Sequence, residues 1–269
     1  MNTRLLFFFC VLFFSKHVFP SGDNYPVGGR SAGLANASVM LADYWSLFHN
    51  QAGLAFLNRT KVGIHHKRGV IKQLSHQSVG FALPAGNGTV GGSCSYFGFS
   101  KFYELKAGLA YSMLLDKNLA GGVQLDYFYT HVNGFYGNAH SIAAEIGIIY
   151  RPLENIYIGT HVFNPFSTAQ LGNVEQMPVL FRFGAGYQVQ GKLLLTAESE
   201  LDLDKKACFK AGLEYELAEA FYIRTGIATN PVTNFFGIGY TWNKLALDIS
   251  FSRHIVLGYS PQFSINFSF

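Results

Sequence analysis

The chain has 269 residues, 29 of them glycine, with 16% aromatic and only 13% charged residues, about half the charged share of an ordinary soluble protein. Its net charge of +4 is too near neutral for a nucleic-acid partner, which would need a clustered basic face. Few charges beside many aromatics suits a surface in contact with lipid.

The N-terminus reads Met1-Asn2-Thr3-Arg4 and then runs apolar from Leu5 to Phe14. A basic start before a short greasy stretch is the n-region and h-region of a secretory signal, and the stretch is well short of the roughly 20 residues that span a bilayer as a helix. A buried core helix would leave the charged start without a purpose. Residues 1–21 are therefore expected to be a signal peptide, with Cys10 inside its h-region. That leaves Cys94 and Cys208, which either pair or stay free.

From Asn24 to Leu57 the chain is rich in small residues, with Gly28, Gly29 and Gly33 leading into Ala35-Asn36-Ala37-Ser38. This segment is read as a short helix plus loop. Beyond Thr60 the hydrophobic period becomes two and stays there. Tyr103, Leu105, Ala107, Leu109, Tyr111 and Met113 share one face, while Glu104, Lys106, Gly108, Ala110 and Ser112 share the other, as strand pleating requires. The same alternation returns from Leu119, from His140, from Val179, from Leu193, from Ala207 and from Leu245.

A soluble sandwich also alternates, but its polar face meets bulk water. Here the second face is mostly Gly, Ala and Ser with occasional charges, and the first is a nearly unbroken apolar row. That division belongs to a transmembrane antiparallel β-barrel, whose strands cross in about 9 to 11 residues. The segments give about fourteen strands, starting near Thr60, His76, Thr89, Tyr103, Leu119, Ala139, Asn155, Val179, Gly191, Lys206, Glu219, Asn234, Lys244 and Tyr259. Tight connections at Pro84–Gly88, Asp116–Asn118, Pro152–Glu154, Val189–Gly191, Leu217–Glu219 and Asn243 alternate with others that are mostly longer, as periplasmic turns alternate with extracellular loops. Both termini then lie on the periplasmic side. Tyr127, Tyr129, Tyr150, Tyr187, Tyr240 and Trp242 sit near segment ends and read as interfacial girdles.

The last strand places Phe263, Ile265, Phe267 and Phe269 on one face and ends the chain on an aromatic residue. It looks like the signal read by the outer-membrane barrel-assembly machinery. With that terminus in view, Gly28-Gly29-Arg30-Ser31-Ala32-Gly33-Leu34-Ala35-Asn36-Ala37-Ser38 and Asn50-Gln51-Ala52-Gly53-Leu54-Ala55 resemble the opening of the PorV/PorQ family, small relatives of the fatty-acid transporter (FadL-like) barrels. Gln51 stands where that family usually has Pro. The resemblance implies that residues 22–58 fold into the barrel as a hatch, with Asn50, Gln51, Ala52 and Gly53 as its motif, and that residues 59–269 form the barrel. A physical reason agrees: a lumen lined by Gly, Ala and Ser leaves volume that water or chain must fill.

No pattern calls for an enzyme, a cofactor or a metal. Adjacent strand residues point to opposite faces, so His140 and Ser141 cannot act together as base and nucleophile, and His65-His66 fails as a metal pair for the same reason. The inward acids Glu104, Asp126, Glu145, Glu198, Glu200, Glu214 and Asp248, with the bases Lys106, Arg182, Lys210 and Arg224, are expected to pair across neighbouring strands. The PorV/PorQ resemblance implies a non-enzymatic outer-membrane protein of a Gram-negative cell that engages secreted proteins or a type IX secretion complex. The more distant fatty-acid transporter resemblance implies the alternative, a diffusion channel for small hydrophobic molecules. Expected partners are outer-membrane lipid, the assembly machinery and, on the first reading, secretion or cargo proteins.

Overall fold

A computed structural model describes residues 24, 26–69, 71, 74–133, 137–168, 177–203, 205–254 and 258–269. The expected signal peptide, with Cys10, lies outside the described residues, as do parts of the connections at 164–178 and 253–257. Period-two alternation produces strands β1 (Lys61–Lys67), β2 (Ser75–Ala85), β3 (Gly88–Phe99), β4 (Phe102–Asp116), β5 (Leu119–Val132), β6 (Gly137–Leu153) and β7 (Ile156–Phe163). It continues through β8 (Leu180–Val189), β9 (Leu193–Asp202), β10 (Cys208–Ala218), β11 (Phe221–Ala228), β12 (Thr233–Trp242), β13 (Leu245–His254) and β14 (Gly258–Ser268). Each strand pairs antiparallel with its chain neighbours, and β1 pairs with β14 to close a barrel. At that seam Val62 faces Phe267 and Ile64 faces Ile265.

The wall is apolar outside and polar inside. On β4 and β5 the outward Leu109 and Leu125 are 64% and 59% exposed, while the inward Ser112 and Asp126 are fully buried. A belt of exposed apolar side chains this continuous has no soluble explanation and fits acyl chains. Closure also leaves no sheet edge unpaired in lipid, where each unsatisfied backbone group would cost several kcal/mol.

The expected connections hold. One end carries tight turns, such as Gly86-Asn87 between β2 and β3 and Lys117-Asn118 between β4 and β5; the other carries the longer loops, apart from the short link between β3 and β4. Strands β9, β10 and β11 begin two residues later than the periodicity suggests. For β9 and β11 the reason is turn chemistry: Gln190, Gly191 and Ala220 adopt the left-handed backbone of a tight turn, which delays the start of the following strand.

Between the first described residues and β1 the chain lies inside the barrel. It forms α1 (Gly29–Gly33) and two 3₁₀ turns, Tyr44–Phe48 and Gln51–Phe56, more local structure than the single short helix expected. Asp43 starts the first turn by accepting from the Trp45 N–H at 2.8 Å while Ser46 Oγ accepts from the Asp43 N–H at 3.1 Å, a reciprocal cap. Asn50 starts the second by accepting from the Ala52 N–H. Tyr44, Trp45, Leu47, Phe48 and Leu54 pack on Ala82 of β2 and Ala110 of β4, and Leu34, Val39, Met40 and Leu41 on Leu194 of β9. Each such burial contributes about 1.5–3 kcal/mol before conformational entropy is subtracted.

Candidate functional site

The lumen wall is shaped to receive this segment. A side chain at Gly159 of β7 would reach 2.2 Å from the Val39 carbonyl oxygen, one at Gly122 of β5 2.4 Å from the Ala52 nitrogen, and one at Gly80 of β2 2.7 Å from Leu47 Cδ2. These inward glycines let main chain lie against main chain. The Gly29 N–H donates to Ser264 Oγ of β14 at 2.9 Å, and the Gly29 carbonyl accepts from Ser250 Oγ of β13. Tyr44 Oη donates to the Gly80 carbonyl at 2.6 Å.

The structure places Asn50, Gln51 and Ala52 against the wall and Gly53 against its own segment. Asn50 Nδ2 reaches the carbonyls of Val39 at 2.6 Å, Ile148 of β6 at 3.2 Å and Thr160 of β7 at 3.3 Å. Gln51 Nε2 donates to Glu145 Oε2 of β6 at 2.7 Å, so the residue that departs from the PorV/PorQ pattern has a partner that a proline could not serve. Ala52 packs on Ala120 and Ile149. Gly53 lies so close that a Cβ would meet Ser46 Oγ at 2.3 Å. At the other end of the chain, Phe263, Ile265, Phe267 and Phe269 alternate outward with the buried Ser264 and Asn266.

The inward charges other than Glu104 form three groups. Lys106 bridges Glu145 at 2.7 Å and Asp126 at 3.1 Å, and His161 meets the second oxygen of Glu145 at 2.9 Å. Arg182 holds Glu200 at 2.6 Å, while Lys210 bridges Glu200 at 2.9 Å and Glu198 at 3.0 Å. Arg224 joins Glu214 at 2.5 Å to Asp248 at 2.6 Å. Cross-strand pairing is therefore as expected, but the sequence reading missed that the N-terminal segment completes it. Glu198 accepts from the N–H groups of Ser38 and Val39 at 2.8 and 2.9 Å. Arg30 spans Glu214 at 2.7 Å and Asp43 at 2.9 Å. Burial opposes the charge on Arg30, yet Glu214 and Asp43 hold its guanidinium more basic than an ordinary arginine. Such pairs cost desolvation and become strongly unfavourable when one partner is removed.

Arg30, Asp43, Glu214, Arg224 and Asp248 line a polar cavity of about 470 Å³ that opens at the turn end beside Lys192, Asn243 and Lys244. Toward the loop end lies a cavity of about 200 Å³ lined by Arg182, Glu200, Asp202 and Cys208, and a small pocket among Phe48, Phe97, Phe128, Glu104 and Lys106. The segment from Gly28 to Phe48 lies between the two ends, with Leu34, Ala35 and Ala37 almost wholly buried.

As expected, His140 and Ser141 face opposite sides: the His140 ring meets Tyr127 Oη at 2.6 Å on the exterior, while Ser141 is buried inside. His65 is buried and His66 exposed. A pair that sequence spacing could not reveal is Ser31 with His49, whose Oγ and Nε2 are 3.2 Å apart. Burial pushes the His49 imidazole down to about 4, and neither residue lines one of these cavities, so the pair holds α1 to the following turn. Cys94 and Cys208 are both free, the first on the exterior and the second at the loop-end cavity.

A closed fourteen-strand barrel with a lipid-facing exterior and a chain-filled lumen defines a class, the outer-membrane β-barrel, and it fits the outer membrane of a Gram-negative bacterium. Solved structures of this kind align over nearly their whole length. The CymD monoaromatic hydrocarbon channel matches at a TM-score of 0.71 and 12% identity, over 90% of this chain and 97% of that one. The P. putida toluene transporter TodX matches at 0.68 and 12%, over 91% and 97%. A Pseudomonas aeruginosa FadL homologue matches at 0.64 and 11%, over 91% and 98%. No protein-family model matches the chain, and none of the curated proteins does. The PorV/PorQ assignment finds no support among these matches.

Proposed function

We propose that this protein is a FadL-like diffusion channel for small hydrophobic molecules in the outer membrane, with residues 22–58 as its hatch and no enzymatic role. The observation that carries the reading is the N-terminal segment lodged between a turn-end cavity and loop-end cavities. A barrel that only anchored a partner through its loops would have no need of a lumen fitted to a separable stretch of chain. The names of the structural neighbours, hydrocarbon and toluene channels among them, favour this reading over the secretion role that the PorV/PorQ resemblance implies. The specific part of that resemblance is the Gly28–Ser38 and Asn50–Ala55 stretches, and those stretches serve equally well as hatch residues.

Reconstitution tests the choice. Deleting residues 24–57 is expected to leave a folded barrel that passes a small aromatic probe into liposomes at least several-fold faster than the intact chain. Equal flux from both, together with stoichiometric co-purification of an exported protein with the intact chain, would replace the channel with the docking role. Barrel lipids and the assembly machinery are its partners on either reading.

A further inference from the structure

The exterior is not uniform around its loop end. On the β8 to β10 side the outward Phe181, Leu201, Leu203 and Phe209 are all exposed, with Lys205 and Lys206 exposed on the connection between β9 and β10. From β13 through β14 and β1 to β6, cationic, imidazole and tyrosyl side chains stand among apolar ones such as Ile71, Ile142 and Phe251. Arg68, exposed just beyond β1, is pinned by its backbone N–H on the Pro261 carbonyl at 3.0 Å. Arg253 on β13 stands over the ring of Tyr259, its register partner on β14, at 5.8 Å. Lys101 is exposed on the short link between β3 and β4. Tyr103 stacks on His131 with ring centres 4.9 Å apart, and on Tyr96 at 5.8 Å.

Among the described residues acids do not balance these cations. Among the described residues no Asp or Glu faces outward at this rim: Glu104 is buried in the lumen, and Asp202 lines the loop-end cavity and bridges Lys205 at 3.1 Å. No ion pair found among the described residues involves Arg68, Lys101 or Arg253. The turn end differs, because Asp116, Glu154, Glu216 and Glu219 are interspersed there with Lys61, Lys117, Lys192 and Lys244. Next to the cationic arc, an apolar groove of about 390 Å³ runs over the exterior between Ile64, Val79, Cys94, Tyr96 and Phe263, with His66 and Gln77 facing each other across β1 and β2 along it.

We infer that Arg68, Lys101 and Arg253, with the tyrosines beside them, dock the phosphorylated headgroup of an outer-leaflet glycolipid, one of whose acyl chains lies in the groove beneath. Unpaired cations just above an apolar wall face whatever anion the leaflet presents, and each adds to its retention. A leaflet whose lipids carry phosphates on a sugar supplies that anion with chains attached.

The test counts lipids that stay on the full-length mature protein when it is released from phosphatidylcholine nanodiscs doped with diphosphoryl lipid A, read by native mass spectrometry. The wild type is expected to retain diphosphoryl lipid A several-fold better than monophosphoryl lipid A or phosphatidylcholine. The triple variant Arg68→Gln, Lys101→Gln, Arg253→Gln should retain about tenfold less. A turn-end control, Lys117→Gln, Lys192→Gln, Lys244→Gln, should match the wild type. Equal retention of the three lipids, an unaffected loop-end variant, or an equal loss in the turn-end control overturns the proposal. Should the triple variant fail to fold, the wild type in 1 M salt stands in: screening must strip the lipid A, and retention unchanged by salt is again a refutation.

Discussion

The carboxamide of Asn50 ties three stretches of chain together, reaching a carbonyl in its own segment, one on β6 and one on β7. The site works because Gly147 of β6 leaves a gap, where a Cβ would fall 1.9 Å from Asn50 Oδ1. Asn50→Ala therefore strands buried carbonyls, which costs about 1–3 kcal/mol. The expected outcome is a barrel that still forms while the segment around residue 50 becomes sensitive to protease, as followed by limited proteolysis in detergent; resistance equal to the wild type would show that packing alone holds it. Sequence inspection could single out Asn50 through its motif, but it could not pair it with Gly147, because that contact joins residues 97 apart that no periodicity relates. The partnership of Gln51 with Glu145 is hidden in the same way.

At the scale of the elements, strands were legible because the physics that makes them is local. Alternation of apolar and small residues places each strand start within two residues, and the offsets at β9 and β11 lie at turns whose left-handed backbone, as at Gln190 and Ala220, the alternation does not encode. The N-terminal segment was less legible. Its 3₁₀ turns are fixed by the Asp43 and Asn50 caps and by the wall they press on, and a run of small residues carries no period to reveal them. For β14 the legible feature is also the testable one. Phe263, Ile265, Phe267 and Phe269 face outward in one row, and Phe269→Ser removes the terminal aromatic without touching the lumen. The expected result is a several-fold fall in the protein recovered from the outer membrane on fractionation, with the purified variant still refolding in detergent; undiminished recovery would deny that row its part in assembly.

For the molecule as a whole, inside and outside are exchanged relative to a soluble protein: charges such as Asp126 and Glu145 are fully buried while leucines and phenylalanines cover the surface. Composition announced this exchange before any strand was placed, whereas which acid meets which base needed coordinates, since pairing depends on barrel register and on Arg30 arriving from a distant part of the chain. A barrel closed by β1 and β14 resists detergent because all its strands must part together. The unheated protein is expected to migrate differently from the boiled protein on a gel; identical mobility before and after boiling would be incompatible with a closed cylinder.

The seam between β1 and β14 carries one more implication, for the order of events during biogenesis. Ser264, which accepts from the Gly29 N–H, belongs to β14, the last strand of the barrel, while Gly29 lies ahead of β1. The inner segment and the closing strand thus complete each other, and a half-built sheet cannot seat that segment fully until the final hairpin arrives. Sealing the wall and loading the interior become a single concluding step, so a chain stalled before β14 should be not only open but also empty.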